Sequence, residues 1–379
     1  MKLWILFFGI ISLNLFNSGF AQSYKRVISI SNPLPFDRND EVIAIAWQEI
    51  LAKYPGIDTA NFKIIDIKTK KELPWQLEFK GEKNIQSILI QTDIQGNGTV
   101  KLEIQKGKSL PFKRKTYGRC VPERKDDFAW ENDKIAFRMY GKALEMNPSE
   151  MAYGMDVWVK RTDKLILNER YKRGEYHIDH GDGMDYYHVG LTLGAGDVAP
   201  YLKDSIYYSK NYRRWRVLDN GPLRTTFELE YDYWNVNETK VSVAKRISID
   251  AGSQLSRVEA KFNNDKTPAL PVVVGLAKRD EQGVMLLDEQ QGIMAYWEPR
   301  HGEDGTTGVG SILLTKVSKM GITQVQILSH TICRNEEPVV YYTGAVWDKA
   351  KEISSSNGWF DYLYFFKNRL SNPLKIEIE

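Results

Sequence analysis

Short runs in which apolar and polar residues alternate, each closed by a turn, constrain this chain more than any other feature of its sequence. Between Tyr24 and about Lys106 they are Arg26–Ile30, Glu41–Ala46, Phe62–Ile67, Ser87–Gln91 and Thr99–Ile104, separated by links such as Asn32-Pro33 and the stretches 68–72 and 95–98. A period of two places every second side chain on one face, so these runs fit strands with one buried face and predict a small antiparallel sandwich. Residues Gly107–Thr116 are basic, polar and without period, which reads as a linker. The alternation then resumes in Ile135–Tyr140, Tyr153–Lys160, Leu223–Tyr231, Glu238–Asp250, Leu255–Phe262, Val272–Leu276, Ile293–Glu298, Val339–Ala345 and Tyr362–Phe366. Helical spacing is confined to Trp47–Lys53 and to the neighbourhood of Asp348–Ser355. The expectation is an all-β protein, with a β-sandwich over residues 22–108 and a large two-sheet sandwich over 117–379.

Lys2, the apolar run Leu3–Phe16 and the stretch Asn17–Ala21 are arranged as the three regions of a secretory leader, residues 1–21. The run is too short to span a bilayer. An exported protein is expected, periplasmic in a Gram-negative host and not inserted in a membrane after cleavage. A net charge of +3 over 379 residues gives no general basic surface, so nucleic acid is not an expected partner. Cys120 and Cys333 allow either one disulfide or two buried thiols. Ten Trp and twenty Tyr supply sandwich packing, and exposed rings of that kind also stack on sugars.

Three of the five histidines, His177, His180 and His188, fall within Glu175–Gly190, among Asp179, Asp182, Asp185, Tyr186 and Tyr187. Gly181 and Gly183 argue against a helix there. Zinc on His177, His180 and Asp182 or Asp185 is one reading, but the spacing matches no zinc signature, so no metal is expected. Proton transfer by an imidazole or phenol oriented by an aspartate is a second reading. Mutual satisfaction of these side chains around a tight loop is the third.

A second cluster, Asn211–Val217, holds Arg213, Arg214 and Arg216 around Trp215. Arg214 is the candidate anion contact and Trp215 the candidate stacking surface, against the plainer reading of a charged edge strand. Lys278, and Trp297 in the run before His301, are further candidate substrate contacts. Asp126, Asp127, Glu131 and Asp133 read as the salt-bridged start of a strand. Neither a G-x-S-x-G elbow nor a P-loop occurs, which argues against the common hydrolase and nucleotide mechanisms.

The runs Trp130–Asp133, Ala136–Gly141, His180–Asp185, Val189–Gly196 and Gly221–Arg224 together resemble the DUF4861 family of exported bacterial proteins over nearly the whole mature chain. The resemblance implies a large sandwich of the galactose-mutarotase type and a place in polysaccharide utilisation. A branch of that family acts on ulvan oligosaccharides as a dehydratase. This implies a carbon–oxygen lyase that removes water from a non-reducing-end uronic acid and leaves a 4,5-unsaturated sugar. Such an elimination needs a carboxylate clamp, a base and a proton donor, and no cofactor. By residue type Arg214 supplies the clamp, His177 or His180 the base or acid, Tyr187 the other partner, and Asp185 the orienting group. Asp185, Trp215, Lys278 and Trp297 are the expected contacts to an anionic oligosaccharide. A polysaccharide lyase, a glycoside hydrolase and a non-catalytic glycan-binding protein remain the alternatives.

Overall fold

The computed structural model describes residues 26–334 and 337–379, so the leader read over residues 1–21 lies outside the described residues. The first alternating runs form two small sheets. One has the order Lys375–Ile378, Ile28–Ser31, Thr99–Lys106, Phe62–Asp66; the other has Arg38–Ala46, Ser87–Ile94, Trp75–Glu78. Their inward residues Ile28, Ile30, Ile43, Ile45, Ile64, Ile88, Ile90 and Leu102 make one core. Helix α1, Trp47–Lys53, adds Trp47 and Ile50 to it. Residues 107–115 have no regular structure.

The strand Lys375–Ile378 departs from the sequence reading, which left it in the 117–379 unit. It pairs antiparallel with Ile28–Ser31, Ile378 opposite Ile28. Its alternation explains why, because Ile376 and Ile378 pack on the N-terminal core while Lys375 and Glu377 point out.

Beyond residue 115 the chain builds a two-layer sandwich. One layer is an eight-stranded antiparallel sheet in the order Arg214–Asn220, Arg224–Val236, Thr239–Asp250, Leu255–Asn264, Val339–Trp347, Thr307–Leu313, Ile293–Trp297, Val284–Asp288. The facing layer holds two five-stranded sheets. The first runs Gly183–Met184, Asp156–Lys160, Ala136–Met139, Asp127–Asn132, Thr116–Val121; the second runs Ser205–Ile206, Ala195–Leu202, Ala269–Ala277, Gln326–Arg334, Lys319–Ile322. The layers interdigitate: Phe128 stacks on Phe227 with centroids 4.1 Å apart, and Thr343 Oγ1 donates to the Ala195 carbonyl at 2.7 Å.

Two helices were not expected. Helix α2, Leu167–Arg173, is short and held by charge: the Glu131 carboxylate accepts from the Ile166 and Leu167 N–H groups and from Lys160 Nζ at 2.8–2.9 Å. Helix α3, Ser356–Ser371, contains Tyr362–Phe366, read above as a strand from its aromatic content. The Ser355 hydroxyl caps it by accepting from Gly358 N, and Trp359 and Leu363, four residues apart, bury one face. That face lies on Gly310, where a Cβ would stand 2.7 Å from Leu363 Cδ1. Tertiary packing therefore overrides strand preference here. Cys120 and Cys333 sit in different sheets as free thiols.

Lys160 and Glu131 are both almost fully buried, and burial lowers the Lys160 ammonium from its ordinary value although Glu131 opposes this. Glu131→Ala would strand the ammonium and release the start of α2. A loss of about 3–5 kcal/mol is expected, read as a shift of the urea midpoint. A midpoint within experimental error of wild type would contradict it.

Candidate active site

The segment 175–190 is shaped by two glycines and an aspartate. Gly174, at φ 78°, ends α2. Asp179 Oδ1 then accepts from Gly181 N at 2.9 Å and Gly183 N at 3.0 Å, folding a tight turn. Gly183 has φ 105°, and a Cβ there would stand 2.1 Å from the Val159 carbonyl oxygen, so the two-residue strand Gly183–Met184 requires glycine to pair with Val159 and Lys160. Asp185 N donates to Tyr176 O at 2.8 Å and closes the loop. The chain then buries Asp185, Tyr187 and Val189 and exposes His188.

On the inner side the loop meets Arg138. The Arg138 guanidinium lies 2.6 Å from Asp156, 3.0 Å from Asp185 and 3.6 Å from Asp127, and 5.2 Å from the ring centres of Tyr140 and Trp158. Arg124 Nη1 approaches Asp127 to 3.9 Å. Three buried carboxylates thus gather around Arg138 and Arg124, with the charge of buried Arg170 also acting on Asp185. Burial, reinforced by Asp156, holds the Asp185 carboxyl well above the usual carboxylate range, and burial pushes Asp127 up to about 6. Burial thus favours the protonated form of these two carboxyls.

His177 joins this cluster to solvent. Its Nδ1 lies 2.8 Å from the Asp185 carbonyl oxygen and 3.7 Å from the Asp185 carboxylate, its ring rests against Tyr176, and its side chain is 68% exposed. Donation of the Nδ1 proton to that carbonyl leaves the Nε2 lone pair on the outer side.

The next residues reach a second group of charges. The Arg279 guanidinium lies 4.9 Å from the Tyr187 ring centre, donates to the His188 carbonyl at 2.6 Å and approaches Glu298 Oε1 to 2.6 Å. Burial pushes Glu298 up to about 7 although Arg279 opposes it. The Tyr187 hydroxyl is buried without a hydrogen-bond partner among the described residues, and burial drives its pKa far up. Tyr186 accepts from Thr307 Oγ1 at 2.6 Å and lays its ring 5.6 Å from that of His301. His301 Nδ1 is 3.3 Å from Asp304 Oδ2.

The other sequence candidates go elsewhere. His180 Nε2 lies 3.7 Å from Glu175, and Asp182 contacts Arg170 and Arg173, so the zinc-ligand candidates His177, His180 and Asp182 each turn to a different partner. Arg214 is 62% exposed on an edge strand, its guanidinium held by Glu230 at 2.8 Å and Asp232 at 3.0 Å, and Trp215 beside it leans on Phe128. Lys278 Nζ donates to the carbonyls of Arg279 and Gln324, and Trp297 packs in the α3 core. In both places the neighbouring residue, Arg279 or Glu298, turns toward the loop instead, just past the ends of the strands Ala269–Ala277 and Ile293–Trp297. A cavity of about 910 Å³ lies on the outer face of the eight-stranded sheet beside α3, lined by residues such as Glu78, Arg224, Arg257 and Phe366 and by none of the loop. Its arginines are already paired, Arg224 with Asp250 and Glu78 and Arg257 with Glu259. The site is therefore assigned to the loop, where raised carboxyls meet an open imidazole.

Sequence reasoning did not select Arg138, Asp156, Arg279 or Glu298. For Arg138 and Asp156 the signal was present: Arg138 lies within the strand Ala136–Met139 and Asp156 opens the strand Asp156–Lys160, both buried throughout. A charge with no solvent face must have a buried partner.

Comparison with known proteins agrees with the architecture. An alpha-mannosidase from Enterococcus faecalis V583 superposes with a TM-score of 0.53 at 8% identity, covering 93% of this chain and 46% of that one. A second Enterococcus faecalis protein, of glycosyl hydrolase family 38, gives 0.53 at 9% identity, covering 94% and 47%. The chain thus spans just under half of these solved structures, and at such identity they speak for the sandwich fold alone. A Formosa agariphila protein named "Uncharacterized protein P7" is 32% identical over the full length of both chains. The family model described as "Domain of unknown function (DUF4861)" matches residues 30–376, and the chain belongs to that family.

Proposed function

We propose that this protein is a carbohydrate-active enzyme, a carbon–oxygen lyase that removes water from the terminal uronic acid of anionic oligosaccharides such as those of ulvan. The observation that carries this reading is His177: an open imidazole with Nδ1 pinned by the Asp185 carbonyl, next to a carboxyl whose protonated form burial favours. The C5 hydrogen of a uronic acid is acidic because the carboxyl group stabilises the carbanion formed on its removal. His177 Nε2 takes that proton. Arg279 meets the sugar carboxylate, and the Tyr187 ring beneath it fixes the guanidinium. With Glu298 able to hold a proton near pH 7, the Arg279 charge is left free for that anion. Arg214, already shared between two carboxylates, is not assigned this task. Export to the periplasm belongs to the same proposal, since polymer fragments are met outside the cytoplasm.

The test is incubation with oligosaccharides that end in glucuronic or iduronic acid, followed by product mass and by ultraviolet absorbance of the new double bond. Loss of one water without shortening supports the reading. Cleavage into shorter sugars would instead indicate a polysaccharide lyase or glycoside hydrolase, and no change would leave a binding protein. His177→Ala is expected to lower turnover by about a hundredfold or more with the fold intact. Arg279→Ala should chiefly raise KM for the charged sugar.

The raised carboxyls also set a pH dependence. A carboxyl whose pKa rises on folding holds its proton more tightly in the folded chain, so its contribution is complete at acid pH and is lost as pH rises. For Glu298 that window runs from 4.5 to about 7. Melting temperature should fall across it, and Glu298→Gln should flatten the fall. A wild-type profile that rises through this window, or an unaltered slope in the variant, would count against the assignment.

A further inference from the structure

Elimination of water also needs a proton for the departing hydroxyl. Tyr187 is poorly suited to deliver it, because its hydroxyl is buried and burial makes it a weaker acid. We propose that His301 is the general acid of the site, positioned by Asp304, an assignment that rests on the lyase reading above.

Both imidazoles lie beside the dipeptide Asp185-Tyr186. His177 touches its first residue through Nδ1, and the His301 ring lies 5.6 Å from the ring of its second. The loop bearing His301 is firmly built: His301 N donates to Gly305 O at 2.8 Å, Trp347 Nε1 donates to Asp304 O at 2.8 Å, and Asp348 Oδ1 accepts from Thr306 N at 3.0 Å. Gly305, at φ 88°, lies against Asp348, where a Cβ would come within 2.3 Å of a carboxylate oxygen. Asp304 therefore holds Nδ1 of a side chain that is 70% exposed. The neighbouring Glu298 carboxyl feels the His301 charge.

The step balances as follows. His177 Nε2 removes the C5 proton, and the electrons of that C–H bond form the C4–C5 double bond. The C4–O bond breaks, and the departing oxygen takes the Nε2 proton of His301 and leaves as water. His177 has gained one proton and His301 has lost one, and exchange with solvent restores both. No oxidant or reductant is involved.

The experiment compares wild type, His301→Gln, His177→Gln and Asp304→Asn on a uronate disaccharide with a C4 hydroxyl and on its 4-deoxy-4-fluoro analogue. Fluoride departs without protonation, so a variant that lacks only the acid should recover on the analogue. His301→Gln is expected to lose about a hundredfold on the hydroxyl substrate and to return to near wild-type rates on the fluoride. Asp304→Asn should show the same pattern more weakly, and it carries the comparison if His301→Gln fails to fold. His177→Gln should fail on both. Equal losses of His301→Gln on the two substrates, or no loss on either, would overturn the assignment while the lyase reading stands. A wild-type protein that releases neither water nor fluoride would overturn both.

Discussion

One guanidinium, that of Arg138, fixes the ground on which the candidate site stands. It is held between Asp127, Asp156 and Asp185, which belong to two core strands and the loop, so a single charge ties three stretches of chain together. Ion pairs this deeply buried are weak devices for stability, since desolvation offsets most of the attraction. Their value lies in discrimination. An alternative packing of the loop would leave carboxylates unpaired in an apolar interior, which is far costlier than losing a hydrophobic contact. The loop conformation is thereby selected, and with it the orientation of His177.

The two charged groups flanking the loop work differently. Around Arg138 the carboxylates are almost fully buried, and burial raises Asp127 and Asp185. Arg279 and Glu298 are one cation and one carboxyl, with Arg279 partly exposed and stacked on a phenol ring. That arrangement suits presenting positive charge when Glu298 is protonated. Tyr186 and Tyr187, neighbours in sequence, reach different partners, Thr307 and Arg279.

Much of the fold was legible because alternation is a backbone property: a strand with one wet face must repeat every second residue. Helix α3 was not, because Tyr362, Tyr364, Phe365 and Phe366 have strand-like preferences and only the Ser355 cap and the Trp359–Leu363 spacing mark it as a helix. Of the site, the loop and Asp185 could be read from the crowding of titratable residues. That Arg138 and Asp156 need buried partners could be read from charges on apolar strands, but which groups they meet could not, since those lie far away in sequence and only the fold brings them near. Arg214 misled because local arginine density carries no information about the carboxylates opposite, Glu230 and Asp232, which antiparallel pairing sets beside it.

The pairing of Ile28–Ser31 with Lys375–Ile378 joins residues separated by almost the whole chain. During synthesis, the first strand emerges long before its outer partner. Until then its free edge offers unpaired N–H and C=O groups to any passing strand. Completion of the small sandwich thus waits on the far end of the polypeptide, and a chain cut short between Thr307 and Lys375 would carry every candidate site residue on a body with one open seam.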